Sequence, residues 1–204
     1  MVLKKIDWTW FSLKLLAHLL LLIPITLLVY CALNDQLGAD PIAAITHQTG
    51  DWTLRFLLLS LAMTPLRLLI KKSWPIRFRR MIGLYAFFYA CLHFAVYLFL
   101  DLGSYWSQIG ADIIKRPFIT VGFAAWLLLI PLAVTSNQWM MRKLKKNWIK
   151  LHKLVYVIGI LGVVHYYWLV KSDIREPLIY AAILLTLFGI RLWHRYKTNH
   201  NKPL

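Results

Sequence analysis

The sequence predicts an all-α membrane protein, a bundle of about six transmembrane helices with both termini cytoplasmic, and three observations predict it. Of the 204 residues, 60% are hydrophobic, against about 45–50% in soluble domains. The excess is gathered into six blocks with neither helical nor strand alternation. Lys and Arg concentrate in alternate loops between those blocks. At about 1.5 Å per helical residue, blocks of this length cross roughly 30 Å of hydrocarbon.

The first block, Leu13–Leu33, follows Lys4 and Lys5 and so begins like a signal peptide. Its apolar run exceeds the ~7–15 residues of such a segment and no small-x-small cleavage site follows, so a retained span is expected. Asn34–Asp51, containing Gly38-Ala39-Asp40-Pro41, reads as an acidic loop. Leu54–Ile70 is the second span, Lys71–Arg80 a tight basic loop and Met81–Leu100 the third span. Asp101–Pro117 reads as a longer loop before the fourth span, Phe118–Val134. Ser136–Asn147 is again basic, Leu151–Val170 the fifth span, Ser172–Glu176 a short turn and Pro177–Trp193 the sixth span. Three of these spans have only 17 residues, at the lower limit for crossing. Neither an internal repeat nor a GxGxxG or P-loop pattern interrupts them, so residues 1–204 read as one domain, with any nucleotide-binding reductase on another polypeptide. Cys31 and Cys91 lie in apolar helices without a CxxC pattern and read as small packing residues.

The net charge is +16, which in a soluble chain would suggest nucleic acid. Here its distribution decides otherwise. If the N-terminus is cytoplasmic, 19 of the 24 basic residues fall inside, leaving Arg55, Lys115, Arg116, Lys171 and Arg175 outside; every acid except Asp7 is outside. That asymmetry follows the positive-inside rule. Basic loops facing anionic lipid headgroups account for the charge, and no nucleic-acid partner is expected.

Ionisable groups inside a bilayer are expensive and therefore functional candidates. The six blocks contain no Asp or Glu, which argues against a proton-coupled transporter. They do contain His18, His93, His152 and His165. His93 lies eight residues before Asp101 and His165 six before Lys171, so the two occupy similar depths in the outer half of the bilayer. Two neutral imidazoles facing each other across two helices would suit six-coordinate haem iron. They would equally suit helix–helix hydrogen bonding. Gly83, Gly159 and Gly162 would admit either a flat macrocycle or a neighbouring helix. His152 sits between Lys150 and Lys153, about 20 Å from His165 by helical rise and about 140° around an ideal helix. A partner for it on the third helix would fall near position 79, which holds Arg79. Lys115-Arg116-Pro117 breaks the charge asymmetry at the outer start of the fourth span. Arg116 is thus a candidate to pair with a haem propionate, although anchoring at headgroups would explain it as well.

One histidine on the third helix opposite two on the fifth, thirteen residues apart, resembles the ferric-reductase-like membrane domain found in NADPH oxidases. The likeness extends through Gly38-Ala39-Asp40-Pro41, Met63-Thr64-Pro65-Leu66, Arg79-Arg80-Met81-Ile82-Gly83-Leu84, Leu92-His93, Arg116-Pro117, Trp148 and Leu151-His152. Together these resemble, over essentially the whole chain, the haem-binding membrane subunits of bacterial periplasmic methionine-sulfoxide reductase systems. The resemblance implies a multi-pass inner-membrane protein carrying one or two haems b, with His93, His152 and His165 as iron ligands. It implies FMN too, for which these residues show no fingerprint. The implied donor is the quinone pool or a flavin reductase, and the implied partner is a periplasmic molybdopterin enzyme that repairs oxidised methionine. Arg79 stands where oxidase relatives carry a fourth histidine, a departure that bears on a two-haem stack. The competing expectations are a cytochrome b anchor for another oxidoreductase and a haem-free membrane scaffold.

Overall fold

The computed structural model describes residues 8–103, 105, 107, 109–170 and 172–200. Lys4, Lys5, Asp7, Lys171 and Lys202 of the charge count lie outside them. The described elements are helical: α1 (Trp8–Leu33), α2 (Pro41–Ile70), α3 (Trp74–Val96) running on as a π-helical turn Tyr97–Asp101, α4 (Ile109–Lys115), α5 (Pro117–Val134), α6 (Gln138–Leu144), α7 (Lys146–Leu151), α8 (Leu154–Leu169) and α9 (Arg175–His200). Six helices are long and apolar enough to cross a membrane, α3 counting its π turn and α7–α8 acting as one span. One end of the bundle gathers Asp40, Asp101, Arg116 and Glu176; the other gathers Lys71, Arg79, Arg142 and Lys153. These are called the acidic and basic ends below.

Several boundaries differ from the sequence reading, always because helix continues through polar residues. The acidic loop expected over Asn34–Asp51 ends at Asp40, whose carboxylate accepts from the Ala43 N–H and caps α2, with Pro41 in the first turn where its missing N–H does no harm. Asp51 therefore lies inside a spanning helix, so the expectation that the spans hold no carboxylate is corrected. Helix α3 begins at Trp74 rather than Met81, shrinking the basic loop to three residues. The two long loops carry the short helices α4 and α6, and α9 runs to His200 rather than ending at Trp193. Periodicity could not mark these ends: His47 and Asp51 of α2 line a cavity, while residues 192–200 of α9 stay helical although exposed.

Helix α2 is the central element, packing on α1, α3, α8 and α9. It approaches α3 closely: a Cβ on Gly83 would sit 3.3 Å from the Ser60 hydroxyl, which itself donates to the Arg79 carbonyl. Ala86 and Tyr89 beside it are almost wholly buried. Gly159 lets α8 meet Leu61 and Leu184, so Gly83 and Gly159 both serve helix packing. Exposed Leu16, Leu19, Ile23 and Leu27 on α1 present the apolar surface that lipid tails cover.

Two prolines open helix ladders, and a polar side chain from a neighbouring helix works at each place. Near Pro24 in α1, the Tyr89 hydroxyl accepts from the Ile25 N–H and donates to the Leu21 carbonyl, both at 3.0 Å. It is thus inserted as a bridging rung between residues four apart. In α2, Pro65 has no N–H to offer the Leu61 carbonyl, and Arg191 of α9 donates through Nη2 to that oxygen. A bilayer supplies no water to such groups, so each is satisfied from within.

Candidate functional site

His93 on α3 and His165 on α8 come together as their matched depth predicts. Their ring centres are 6.1 Å apart and their planes lie at 78°. Each ring is oriented by a backbone carbonyl. His93 Nδ1 lies 3.0 Å from the Thr46 oxygen, with the Thr49 hydroxyl at 3.3 Å. His165 Nδ1 lies 2.6 Å from the Phe118 oxygen. A carbonyl can only accept, so Nδ1 is the protonated nitrogen of both rings and Nε2 keeps its lone pair. Among the described residues no hydrogen bond engages either Nε2.

The two rings are seated alike. Thr46 and Phe118 are each followed four residues later by a glycine, on the same helical face. A Cβ on Gly50 would meet His93 Cε1 at 3.1 Å, and one on Gly122 would meet His165 Nδ1 and Cε1 at 2.7 Å. Each ring therefore lies in a notch in the facing helix, α2 or α5, where the missing side chain lets Nδ1 reach the carbonyl. Both glycines escaped the sequence reading, which singled out Gly83, Gly159 and Gly162. The carbonyl-plus-four pattern was present but had no meaning before the facing helices were known.

The pair borders a cavity of about 530 Å³, enclosed by α2, α3, α5 and α8, within the range of ~300–1,000 Å³ usual for small-molecule sites. Its deep wall is apolar, with Leu57, Ala125, Leu129 and Ile158, while Asp40, Asp51, Asp101 and Arg116 surround its mouth at the acidic end. Gly162 also lines it. The indole N–H of Trp126, on the same wall, is buried and has no partner. This donor set fits haem. Two imidazoles ligating one iron at about 2 Å each leave roughly 6 Å between ring centres, and ligating histidines commonly donate their other N–H to a carbonyl. Among the described residues no group of three His, Cys, Asp or Glu gathers that could hold a bare metal ion.

The remaining expected site residues lie elsewhere. His152 closes α7 and does not line the cavity. Its ring stacks on Trp148 at 3.9 Å, Nδ1 lies 3.1 Å from the Trp148 carbonyl and Nε2 is 3.5 Å from the Ser136 hydroxyl. The Trp148 N–H is anchored in turn on the Thr135 carbonyl. Arg79 is close enough to act electrostatically on His152 and is likewise absent from the cavity wall. Arg116 does reach the cavity mouth, but its Nε is held 2.9 Å from Asp112, whose other oxygen accepts from the Tyr97 hydroxyl at 2.8 Å. That triad ties the π turn of α3 to the α4–α5 junction.

Fold and site together define a class: a polytopic membrane protein with an opposed histidine pair, each ring held through Nδ1 by a backbone carbonyl, beside an apolar-walled cavity. Residues 49–163 match the family described as the ferric reductase like transmembrane component; they include His93 and His152, and His165 follows two residues later. The chain is 59% identical over 188 residues to the protein-methionine-sulfoxide reductase heme-binding subunit MsrQ of Xanthomonas euvesicatoria pv. vesicatoria (strain 85-10), covering 89% of this chain and 86% of that one. It is 62% identical over 162 residues to the protein of the same name from Xanthomonas campestris pv. campestris (strain 8004), covering 79% and 74%. The protein of that name from Herminiimonas arsenicoxydans is 50% identical over 187 residues, covering 90% and 86%. No solved structure matches the chain. The chain belongs to the ferric-reductase-like transmembrane family, in the MsrQ branch of it.

Proposed function

We propose that this chain is the haem-carrying subunit that moves electrons across a bacterial inner membrane to a periplasmic methionine-sulfoxide reductase. The observation that carries the reading is the His93–His165 pair, with both Nδ1 atoms spent on carbonyls and both Nε2 atoms left to a metal. The names of its relatives, heme-binding subunits of a methionine-sulfoxide reductase, support the same reading. The partner is a separate molybdopterin-bearing enzyme, and the donor is quinol or a reduced flavin. Both termini are cytoplasmic, which turns the acidic end, with the cavity mouth, toward the periplasm.

His93 and His165 would hold a haem b, which would supply one-electron redox chemistry. The chain's own work is positioning. The Thr46 and Phe118 carbonyls fix ring orientation and raise the basicity of each ligating nitrogen. The apolar wall excludes water, and Arg116 offers positive charge to acidic groups at the mouth. His152, with Arg79 beside it in place of another histidine, is the residue left for any second haem at the basic end. The test is a reduced-minus-oxidised spectrum of the purified chain produced with ample haem precursor. A low-spin haem b spectrum is expected, and a protein that folds without haem would overturn the reading.

A further inference from the structure

At the basic end an arginine meets an acceptor that does not match it. Arg80, in α3, donates from Nη1 to the thioether sulfur of Met141, in α6, at 3.4 Å. The ion pairs among the described residues are Arg55–Asp51, Arg116–Asp112 and Arg175–Asp173, so none of them serves Arg80. A guanidinium is a strong, permanently charged donor, whereas a thioether is a weak acceptor. The sulfur is also accessible. Met141 is 36% exposed and Met63 only 6%, while Met81 and Met140 are half-buried.

The contact joins two parts of the fold that little else connects. Among the described residues, Arg80–Met141 is the hydrogen bond between α3 and α6. Helix α6 has only seven residues, and its entry turn holds the surroundings of His152. The Asn137 side chain caps the helix by accepting from the Met140 N–H at 2.8 Å. Beside it the Ser136 hydroxyl lies 3.5 Å from His152 Nε2, and the Thr135 carbonyl accepts from the Trp148 indole. Whatever tightens Arg80 on Met141 therefore fixes that turn against α3.

We propose that Met141 is an oxidation site, and that its sulfoxide, by giving Arg80 a strong acceptor, clamps α6 to α3. The oxidant is hydrogen peroxide. Its O–O bond breaks as an S–O bond forms, the sulfur loses an electron pair, and the second oxygen leaves as water. The sulfur lone pair facing Arg80 is engaged, so oxygen enters through the other. Rotation of the unbranched side chain then turns the new oxygen to the guanidinium. That oxygen carries the negative end of the S–O dipole and accepts a charge-assisted hydrogen bond where the thioether accepted a weak one. Oxidation usually loosens a methionine contact, because an apolar group becomes polar among apolar neighbours. Here the neighbour is a cation at the surface, and the sign reverses.

The test uses the full chain in detergent, treated with dilute hydrogen peroxide and read by peptide mass spectrometry. Met141 should oxidise about tenfold or more faster than Met63, as exposure-controlled reactivity requires. Hydrogen exchange of the peptide covering residues 138–144 then reads the clamp. Exchange should slow severalfold in the oxidised wild-type chain. It should slow likewise without oxidant in Met141→Gln, whose amide oxygen offers Arg80 a comparable acceptor. Arg80→Leu should remove the slowing on oxidation. Arg77→Leu, which takes away a cation of the same helix that lies over the Trp10 ring, should leave it in place. Exchange that quickens or stays unchanged after oxidation, or Met63 oxidising as fast as Met141, would overturn the proposal. Neither measurement depends on haem.

Discussion

A Cβ on Gly122 would stand 2.7 Å from Nδ1 of His165, inside the contact distance of any real side chain. The α5 backbone and the imidazole are thus in direct contact, and the ring takes its orientation from the Phe118 carbonyl four residues earlier. The corresponding gap at Gly50 and His93 is 3.1 Å, tight but less severe.

That difference predicts unequal effects of adding one methyl group. Gly122→Ala should force the ring off its carbonyl and remove most bound haem, while Gly50→Ala should keep a substantial fraction with a shifted spectrum. Haem per polypeptide in purified protein measures both. Equal retention in the two variants would contradict this seating of the rings.

The ligand pair is tested directly. His93→Ala and His165→Ala should each abolish low-spin haem absorbance while the protein stays in the membrane. His152→Ala, whose ring stacks on Trp148 away from the cavity, should leave that signal largely intact. A six-coordinate spectrum surviving in both of the first two variants would end the assignment.

Charge at the cavity mouth should tune the midpoint potential with a definite sign. Reduction adds negative charge, so Arg116→Gln, which removes a positive charge, should lower the potential. Asp112→Asn should raise it, because Asp112 partly neutralises Arg116 at 2.9 Å. Each shift should be on the order of 20–60 mV, given a partly exposed pair acting across an effective dielectric near 20. Redox titration of each variant checks the signs, and shifts in the same direction would show that this pair does not act on the haem electrostatically.

The Tyr89 hydroxyl bridges the α1 ladder at Leu21 and Ile25 inside the bundle, where water cannot replace it. Tyr89→Phe should therefore destabilise the protein by about 1–3 kcal/mol. Unfolding in detergent, compared with Phe88→Leu at a more exposed neighbouring position, separates loss of the bridge from loss of ring packing.

Orientation follows from the charge asymmetry. Reporter fusions after Asn34, Asp101 and Ser172 should report a periplasmic location, and those after Lys72, Lys145 and Lys197 a cytoplasmic one. A periplasmic C-terminus would overturn the topology.

The sequence reading located all six spans, but their ends were less legible. Asp51 and His47 looked like loop residues because hydropathy treats polarity as exposure, whereas here α2 carries them past the cavity mouth. Helix α3 likewise starts seven residues before the expected Met81, because its basic residues lie along a helix rather than in a turn. Of the candidate site, His93 and His165 were legible because equal distance from two loop ends fixes equal depth. His152 was legible as a histidine but not as one held by Trp148 and Ser136.

The sequence by itself determined the membrane class, the number of spans and the matched levels of His93 and His165, since these depend on residue type and on distance along a single helix. Only the tertiary structure decided what faces what. Thr46 with Gly50 and Phe118 with Gly122 became ring seats because α2 and α5 pack against the histidine helices. Arg191 became the partner of the carbonyl left by Pro65 because α9 lies beside α2. Rotation of one helix against another is set by close packing and by the need to satisfy every polar group away from water. Those constraints act between segments far apart in the chain, where no local pattern records them.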